Sequence, residues 1–213
     1  MNAFGANAGQ PAIFLDRDGV INRNRADHVK TWSEFEFLPG ALNALQLLAQ
    51  LQRPIVVVSN QAAIGRGLAT RESVEEIHQQ MRRMVARSGG RIDSVLYCPH
   101  RPEEACGCRK PEPGLLLYAA QKFNIDLQRS VLVGDAVSDL KAAVAVGCKP
   151  ILVKSGRGQE QLVMALQMGM PVFHVADDLL AAATWILETE TQMDAETITA
   201  DNHFSDSLRV NQA

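Results

Sequence analysis

Two aspartates one residue apart, followed by glycine, close an early apolar run of this chain as Asp16-Arg17-Asp18-Gly19. Glycine permits an abrupt turn there, which sets two carboxylates on one side of it. That pair suits phosphoryl transfer: one carboxylate attacks phosphorus to form an aspartyl-phosphate, and the other protonates the leaving alkoxide and then activates water. A carboxylate approaching a phosphate dianion is repelled, so the site needs a cation, and Mg²⁺ with oxygen ligands meets that need. Asp135, at the end of another apolar run, supplies a further ligand beside Asp16. Asp139, one helical turn later, is placed to orient metal-bound water or a neighbouring backbone group. Lys110 can bridge nucleophile and phosphate, while the Ser59 hydroxyl and nearby backbone N–H groups hold phosphate oxygens. Asn60 and Gln61, adjoining Ser59, are expected to line the same substrate site.

Each feature has a plainer reading by itself. Asp-x-Asp-Gly can be a solvated turn, Ser59-Asn60 a helix N-cap, Asp135 and Asp139 a cap and an exposed helical acid, and Lys110 a surface charge. What favours catalysis is their joint occurrence at the ends of separate apolar runs. A second cluster, Cys98, His100, Cys106 and Cys108, offers four soft and borderline ligands to a tetrahedral structural Zn²⁺, the alternative being a loop with free thiols. Four protein ligands leave no open position for water, so such a zinc would brace the loop that delivers Arg109 and Lys110. Cys148, far from the cluster, reads as a small buried hydrophobe.

Strand-like apolar runs fall at Ala12–Leu15, Pro54–Val58, Ile92–Tyr97, Ser130–Val133, Pro150–Val153 and Pro171–Val175. Between them lie amphipathic helical patterns at Ala41–Leu51, Arg71–Arg87, Gly114–Phe123, Ser138–Val146 and Gln159–Met168. The alternation predicts an α/β fold whose mostly parallel sheet is covered on both faces, with ligands beyond the carboxyl ends of the strands. A chain of 213 residues with 46% hydrophobic content can bury one substantial core. One domain is expected over residues 11–188, with a flexible N-terminus over 1–10 and a polar, loose tail over 189–213. The net charge of −3 has no basic block, which disfavours nucleic acid and anionic membranes as partners and leaves a small phosphorylated metabolite. No run approaches the roughly 18 apolar residues of a membrane span, and Met1–Gln10 lacks the pattern of a signal peptide. A cytoplasmic monomer is expected.

The stretch Ile13 to Asn22 resembles the first motif of the haloacid dehalogenase superfamily of phosphatases. Ser59-Asn60-Gln61, Arg109-Lys110-Pro111 and Gly134-Asp135 resemble its second, third and fourth motifs. The resemblance implies a Rossmann-like three-layer sandwich with the nucleophile strand in the middle. It also implies Mg²⁺ held by Asp16, Asp135 and the backbone carbonyl of Asp18, whose side chain stays free for proton transfer. No large cap domain is expected, because the span from Asp18 to Ser59 is short and the zinc loop, 98–108, takes the position of a cap. Substrate selection then rests on Arg23–Trp32, Gln61–Gly67 and the zinc loop.

The zinc loop with Arg109-Lys110-Pro111 is similar to two branches of that family, one acting on heptose bisphosphates and one on histidinol phosphate. Ser59 to Gly67 resembles the heptose branch more, although Ala136 stands where many of that branch have lysine. The function implied is removal of the 7-phosphate of a heptose bisphosphate, a step toward activated heptose for cell-surface glycans such as lipopolysaccharide. Arg109 is then expected near the phosphate, with Arg25 and Arg66 adding charge for a second phosphate. Arg17 is expected to be a solvated surface arginine. A polynucleotide 3′-phosphatase would want a basic groove, and a phosphate-responsive signalling module would do without the proton donor Asp18.

Overall fold

Valine, isoleucine and leucine crowd six short segments, and in the computed structural model of the protein, which describes residues 9–171 and 173–189, each of these becomes a parallel strand. They are β1 (Ile13–Leu15), β2 (Ile55–Asn60), β3 (Ser94–Cys98), β4 (Val131–Gly134), β5 (Lys149–Val153) and β6 (His174–Ala176). The sheet order is β3-β2-β1-β4-β5-β6. The register sets Ile13 beside both Ile55 and Val131, and Leu15 beside Val57 and Val133. β1 therefore sits at the centre, as expected of the nucleophile strand.

Strands apolar on both faces need cover on both, and successive side chains divide between them. Ile13, Leu15, Ile55, Val57, Val131, Val133, Ile151 and Val153 point into one core cluster. That cluster is closed by α1 (Ala41–Leu48), α3 (Arg71–Arg87) and a helix at 179–189, here called α7. Phe14, Val56, Val58 and Leu132 point the other way, onto α4 (Gly114–Phe123) and α5 (Val137–Ala145). α6 (Gly158–Gln167) packs Ala165 with Leu140 and Leu152 in a smaller cluster. A one-residue slip of β1 would exchange these faces and misplace three fully buried side chains, each worth roughly 1.5–3 kcal/mol of burial. The position of Asp16 at the strand end is fixed accordingly.

Boundaries differ from the sequence expectations at several ends. Ile92 lies ahead of β3 yet packs in the core, and Cys98 closes that strand. A short helix, α2 (Ala62–Gly65), follows β2 where only a loop was expected. α7 was also not foreseen, although Leu179, Ala182, Ala183 and Ile186 are buried at helical spacing. It runs through residues 188 and 189, where the Thr189 hydroxyl donates to the Trp185 carbonyl at 2.8 Å. Gln10, assigned to a flexible N-terminus, donates its N–H to Asn124 at 3.0 Å and bridges Ile125. The expectations for residues 1–8 and 190–213 lie outside the described residues.

Only a 3₁₀ turn (Trp32–Glu34) and α1 separate β1 from β2 among the described elements, so no cap domain is inserted there. No described helix is long and apolar enough to cross a membrane. The chain leaves β1 toward β2 and β3 on one side, then returns to place β4 on the other. That reversal opens a crevice at the carboxyl ends of β1 and β4, the switch point at which such sheets bind ligands.

Candidate active site

Asp16 follows β1 and Asp135 follows β4, so the switch point brings the two together. The Asp16 N–H donates to the Val133 carbonyl at 2.8 Å, which locks the first aspartate to the neighbouring strand. Gly19 turns the chain with φ +89°, and a Cβ there would collide with the Asp135 carboxylate. Both its backbone conformation and this close approach require glycine. Asp139, one turn into α5, completes a buried cluster in which carboxylate oxygens of Asp16, Asp135 and Asp139 lie within 4.8 Å of one another.

The Lys110 ammonium is driven into this cluster, with Nζ 2.8 Å from Asp16, 2.6 Å from Asp139 and 2.7 Å from the Val58 carbonyl. Burial alone would pull its pKa down, but Asp139 and Asp16 carry it above its ordinary value. Burial raises Asp16 from 3.8 to about 6 against the attraction of Lys110. Burial and the charge of Asp16 raise Asp135 from 3.8 to about 7. The Asp135 Oδ2 accepts the Arg157 N–H at 2.9 Å, while its Oδ1 is buried without a hydrogen-bond donor. Three carboxylates around one ammonium, with the Arg157 guanidinium no nearer than 3.7 Å to an Asp135 oxygen that makes no hydrogen bond, form a site suited to a hard cation.

The Asp18 side chain stands outside this trio. Its oxygens accept from Arg17 Nη2 at 2.9 and 3.0 Å, Asn22 Nδ2 at 2.9 Å and Gln61 Nε2 at 2.8 Å. Burial would raise its pKa, but the Arg17 charge and these hydrogen bonds hold the carboxyl below its ordinary value. Arg17 corrects an expectation here: it is no surface residue but is fully buried, because its guanidinium is held between Asp18 and His78.

The second motif closes the floor. Gln61 Nε2 also donates to the buried Ser59 hydroxyl at 2.9 Å. Asn60 exchanges two hydrogen bonds with the Lys110 backbone, donating to its carbonyl and accepting its N–H, each at 3.0 Å. That amide is thereby engaged in tying the third motif to the end of β2. Just ahead of Lys110, Cys98, His100, Cys106 and Cys108 converge, with their ligand atoms within 4.8 Å of one another. The Cys98 and Cys108 sulfurs are 3.1 Å apart, and His100 Nδ1 lies 3.3 Å from Cys108 and 3.4 Å from Cys98. Four such donors around one point match the ligand set of a tetrahedral zinc.

Above these groups opens a cavity of about 600 Å³, lined by Asp16, Asp18, Ser59, Asn60, Gln61, Arg109 and Lys110 among others. Arg25 also lines it, with its guanidinium held by Asp27 at 3.1 Å. Arg66 is exposed and does not line the cavity; its charge, after burial, helps depress the pKa of His28, which does. Sequence reasoning covered His28 only through the Arg23–Trp32 loop without singling it out, and missed Arg157 as a lining residue. A signal existed for Arg157, since Lys154-Ser155-Gly156-Arg157 follows β5 as the other site segments follow their strands.

An acidic trio threaded by one lysine, beside a separately held carboxylate, suits displacement at phosphorus. Comparison with known proteins agrees. A family model described as HAD-hydrolase-like matches residues 107–182. The D-glycero-beta-D-manno-heptose-1,7-bisphosphate 7-phosphatase of Pseudomonas aeruginosa is 40% identical over 83% of this chain and 97% of its own length. A Mycobacterium tuberculosis enzyme named for the alpha anomer is 42% identical over 68% of this chain and 80% of its own. The crystal structure of the D,D-heptose 1,7-bisphosphate phosphatase of Bordetella bronchiseptica, complexed with magnesium and phosphate, superposes with a TM-score of 0.80. It is 39% identical and covers 84% of this chain and 99% of its own. The chain belongs to the haloacid dehalogenase-like hydrolases and, within them, to the family of the heptose-1,7-bisphosphate 7-phosphatases.

Proposed function

We propose that the chain is a phosphomonoester hydrolase that removes the 7-phosphate of D-glycero-D-manno-heptose 1,7-bisphosphate through an aspartyl-phosphate on Asp16. The observation that carries this reading is the buried trio of Asp16, Asp135 and Asp139 held around the Lys110 ammonium, with the Asp135 Oδ1 in no hydrogen bond and facing the Arg157 guanidinium only at 3.7 Å. Asp16, Asp135 and the Asp18 backbone carbonyl would hold Mg²⁺, which supplies the positive charge that lets a carboxylate approach a phosphate dianion. Asp16 Oδ attacks phosphorus; Lys110 steadies that carboxylate and the incoming phosphate oxygens, and Ser59 donates to another of those oxygens.

Asp18 faces the cavity as the acid and base of the two steps. Its low pKa leaves it ionised in the free protein, the state that activates water. A bound phosphate dianion beside it favours uptake of the proton it then gives to the leaving alkoxide. Asn60 and Asp139 act on Lys110, the first holding its backbone and the second its ammonium. Cys98, His100, Cys106 and Cys108 would hold a structural Zn²⁺ that braces the approach to Arg109 and Lys110, in the cytoplasm where thiols stay reduced.

The heptose bisphosphate is supported by the names of the relatives, among which beta and alpha enzymes share the 7-phosphate. It is supported as well by cations that line the cavity beyond Lys110, namely Arg25, Arg109 and Arg157. A second phosphate gaining one charge-assisted bond would be favoured by about 1.5–3 kcal/mol, roughly tenfold to hundredfold in kcat/KM. The test is kcat/KM for the heptose bisphosphate against histidinol phosphate, which has one phosphate and an amine that these arginines repel. Equal values, or a preference for histidinol phosphate, would overturn the substrate assignment.

A further inference from the structure

We propose that His78, acting through Arg17, is a positioning residue that orients the Asp18 carboxylate toward the leaving group. The inference rests on the reading of Asp18 as the acid that protonates that group. It starts from a charge in an unusual place: the Arg17 side chain is 0% exposed, although it follows the nucleophile directly in sequence. A guanidinium is costly to bury, and that cost is offset where its donors find acceptors, as both Nη groups do here while the buried Nε has no hydrogen-bond partner. One end of its fork, Nη2, grips both Asp18 oxygens. The other, Nη1, lies 3.0 Å from Nε2 of His78, which α3 delivers from 61 residues away in sequence.

Arginine has donors only, so at this contact Nη1 donates and Nε2 accepts. His78 must then be neutral with its proton on Nδ1. Burial and the Arg17 charge hold its pKa down, from 6.5 to about 3, which keeps it in that state. The ring is itself fixed: it is 5% exposed and packs at 5.2 Å, tilted, against Tyr97. The Tyr97 hydroxyl donates to Glu75 at 2.9 Å and accepts from Arg71 at 3.1 Å. A chain of contacts thus runs from the outer face of α3 to the carboxylate.

Satisfying Asp18 does not by itself require this arrangement. Asn22 already donates to its Oδ1 and Gln61 to its Oδ2. Each amide pins one oxygen, whereas Arg17 Nη2 lies against both and ties them to one point, and His78 sets where that nitrogen can lie. Asp18 lines the cavity with 22% of its side chain exposed, so its plane decides which oxygen edge meets the leaving atom. Misorientation by a fraction of an ångström is enough to slow a proton transfer without weakening substrate binding.

The test separates proton donation from a general loss of structure by varying the leaving group. Mg²⁺-loaded enzyme is mixed with a sugar phosphate, whose alkoxide must be protonated, or with p-nitrophenyl phosphate, whose phenolate leaves without a proton. The rate of the first release of alcohol or phenolate in a single turnover reports the step in which Asp18 is the acid. His78→Leu should slow release from the sugar phosphate on the order of tenfold, with KM changed less than about twofold and p-nitrophenolate release nearly unaltered. His78→Gln should restore the rate, since its amide oxygen can occupy the position of Nε2. His78→Asn, a polar variant whose shorter amide stops near Nδ1, should behave as His78→Leu does, and it decides the matter if the leucine variant does not fold.

Asp18→Asn is the control for the underlying reading and should show the same leaving-group selectivity in a larger degree. If Asp18→Asn slows both substrates alike, the acid assignment fails and the positioning role fails with it. If Asp18→Asn is selective while the Leu and Asn variants of His78 slow both substrates alike or neither, only the positioning role is overturned. Equal rates for the Gln and Asn variants would also overturn it.

Discussion

Asp135→Asn is expected to stabilise the magnesium-free protein at alkaline pH while abolishing its activity. The wild-type carboxyl is fully buried with a pKa of about 7 instead of 3.8, because burial and the charge of Asp16 oppose its ionisation. An acid whose folded pKa is raised holds its proton in the folded state after the unfolded chain has lost it. Stability therefore falls as pH rises between those two values and is level above the higher one. From pH 5 to pH 7 this covers two units at about 1.4 kcal/mol each, so wild type loses about 3 kcal/mol relative to an asparagine that has no charge to bury. Groups remote from Asp135, His78 among them, are common to both proteins and cancel in the difference, whereas Asp16 is coupled to Asp135 and their repulsion is part of the pH-dependent gap.

For a chain of this length the change corresponds to roughly 6–12 °C in Tm. The assay is thermal unfolding of both proteins at pH 5 and pH 8, with zinc retained and Mg²⁺ removed, then repeated at saturating Mg²⁺. The gap in Tm, variant minus wild type, should widen by that amount from pH 5 to pH 8. Added Mg²⁺ should reverse it by stabilising wild type, by about 2.7 kcal/mol at a hundredfold excess over Kd. A gap that does not change with pH, or Mg²⁺ stabilising both proteins equally, would refute the view of Asp135 as a strained carboxylate waiting for a cation.

Asp16→Asn should leave the fold intact and remove turnover, since an amide fills the same space but does not attack phosphorus; substantial phosphate release by a verified variant would rule out Asp16 as nucleophile. One zinc per chain should remain after mild chelation removes Mg²⁺, as read by elemental analysis. Cys106→Ser should lose that zinc together with several degrees of Tm, and unchanged stability with no zinc in either protein would dismiss the structural site.

Much of this site is legible in the chain because its groups sit at strand ends. Six runs of branched apolar residues could only be buried strands, and residues directly after such runs must emerge at one edge of a parallel sheet. Asp16, Ser59, Cys98 and Asp135 are therefore readable as neighbours before any coordinates exist. The cluster of Cys98, His100, Cys106 and Cys108 is legible for a related reason: four donors in one short loop lie close together in almost any conformation.

Partnerships between distant elements are not legible in this way. Arg17 looks like a surface charge in sequence because arginine nearly always is one, and although Asp18 beside it is an acceptor, nothing near it announces the second, His78. Its burial depends on His78, which reaches it only once α3 packs across β1 and β2. Arg157 reaches the cavity because β5 lies beside β4, and the pairing of Asp139 with Lys110 depends on a loop folding back over β2. Strand periodicity and residue chemistry are local properties, so the chain by itself determined the layers, the central strand and the kinds of groups at the site. Which donor meets which acceptor depends on how helices and loops from remote parts of the chain pack, and only the tertiary structure decided that.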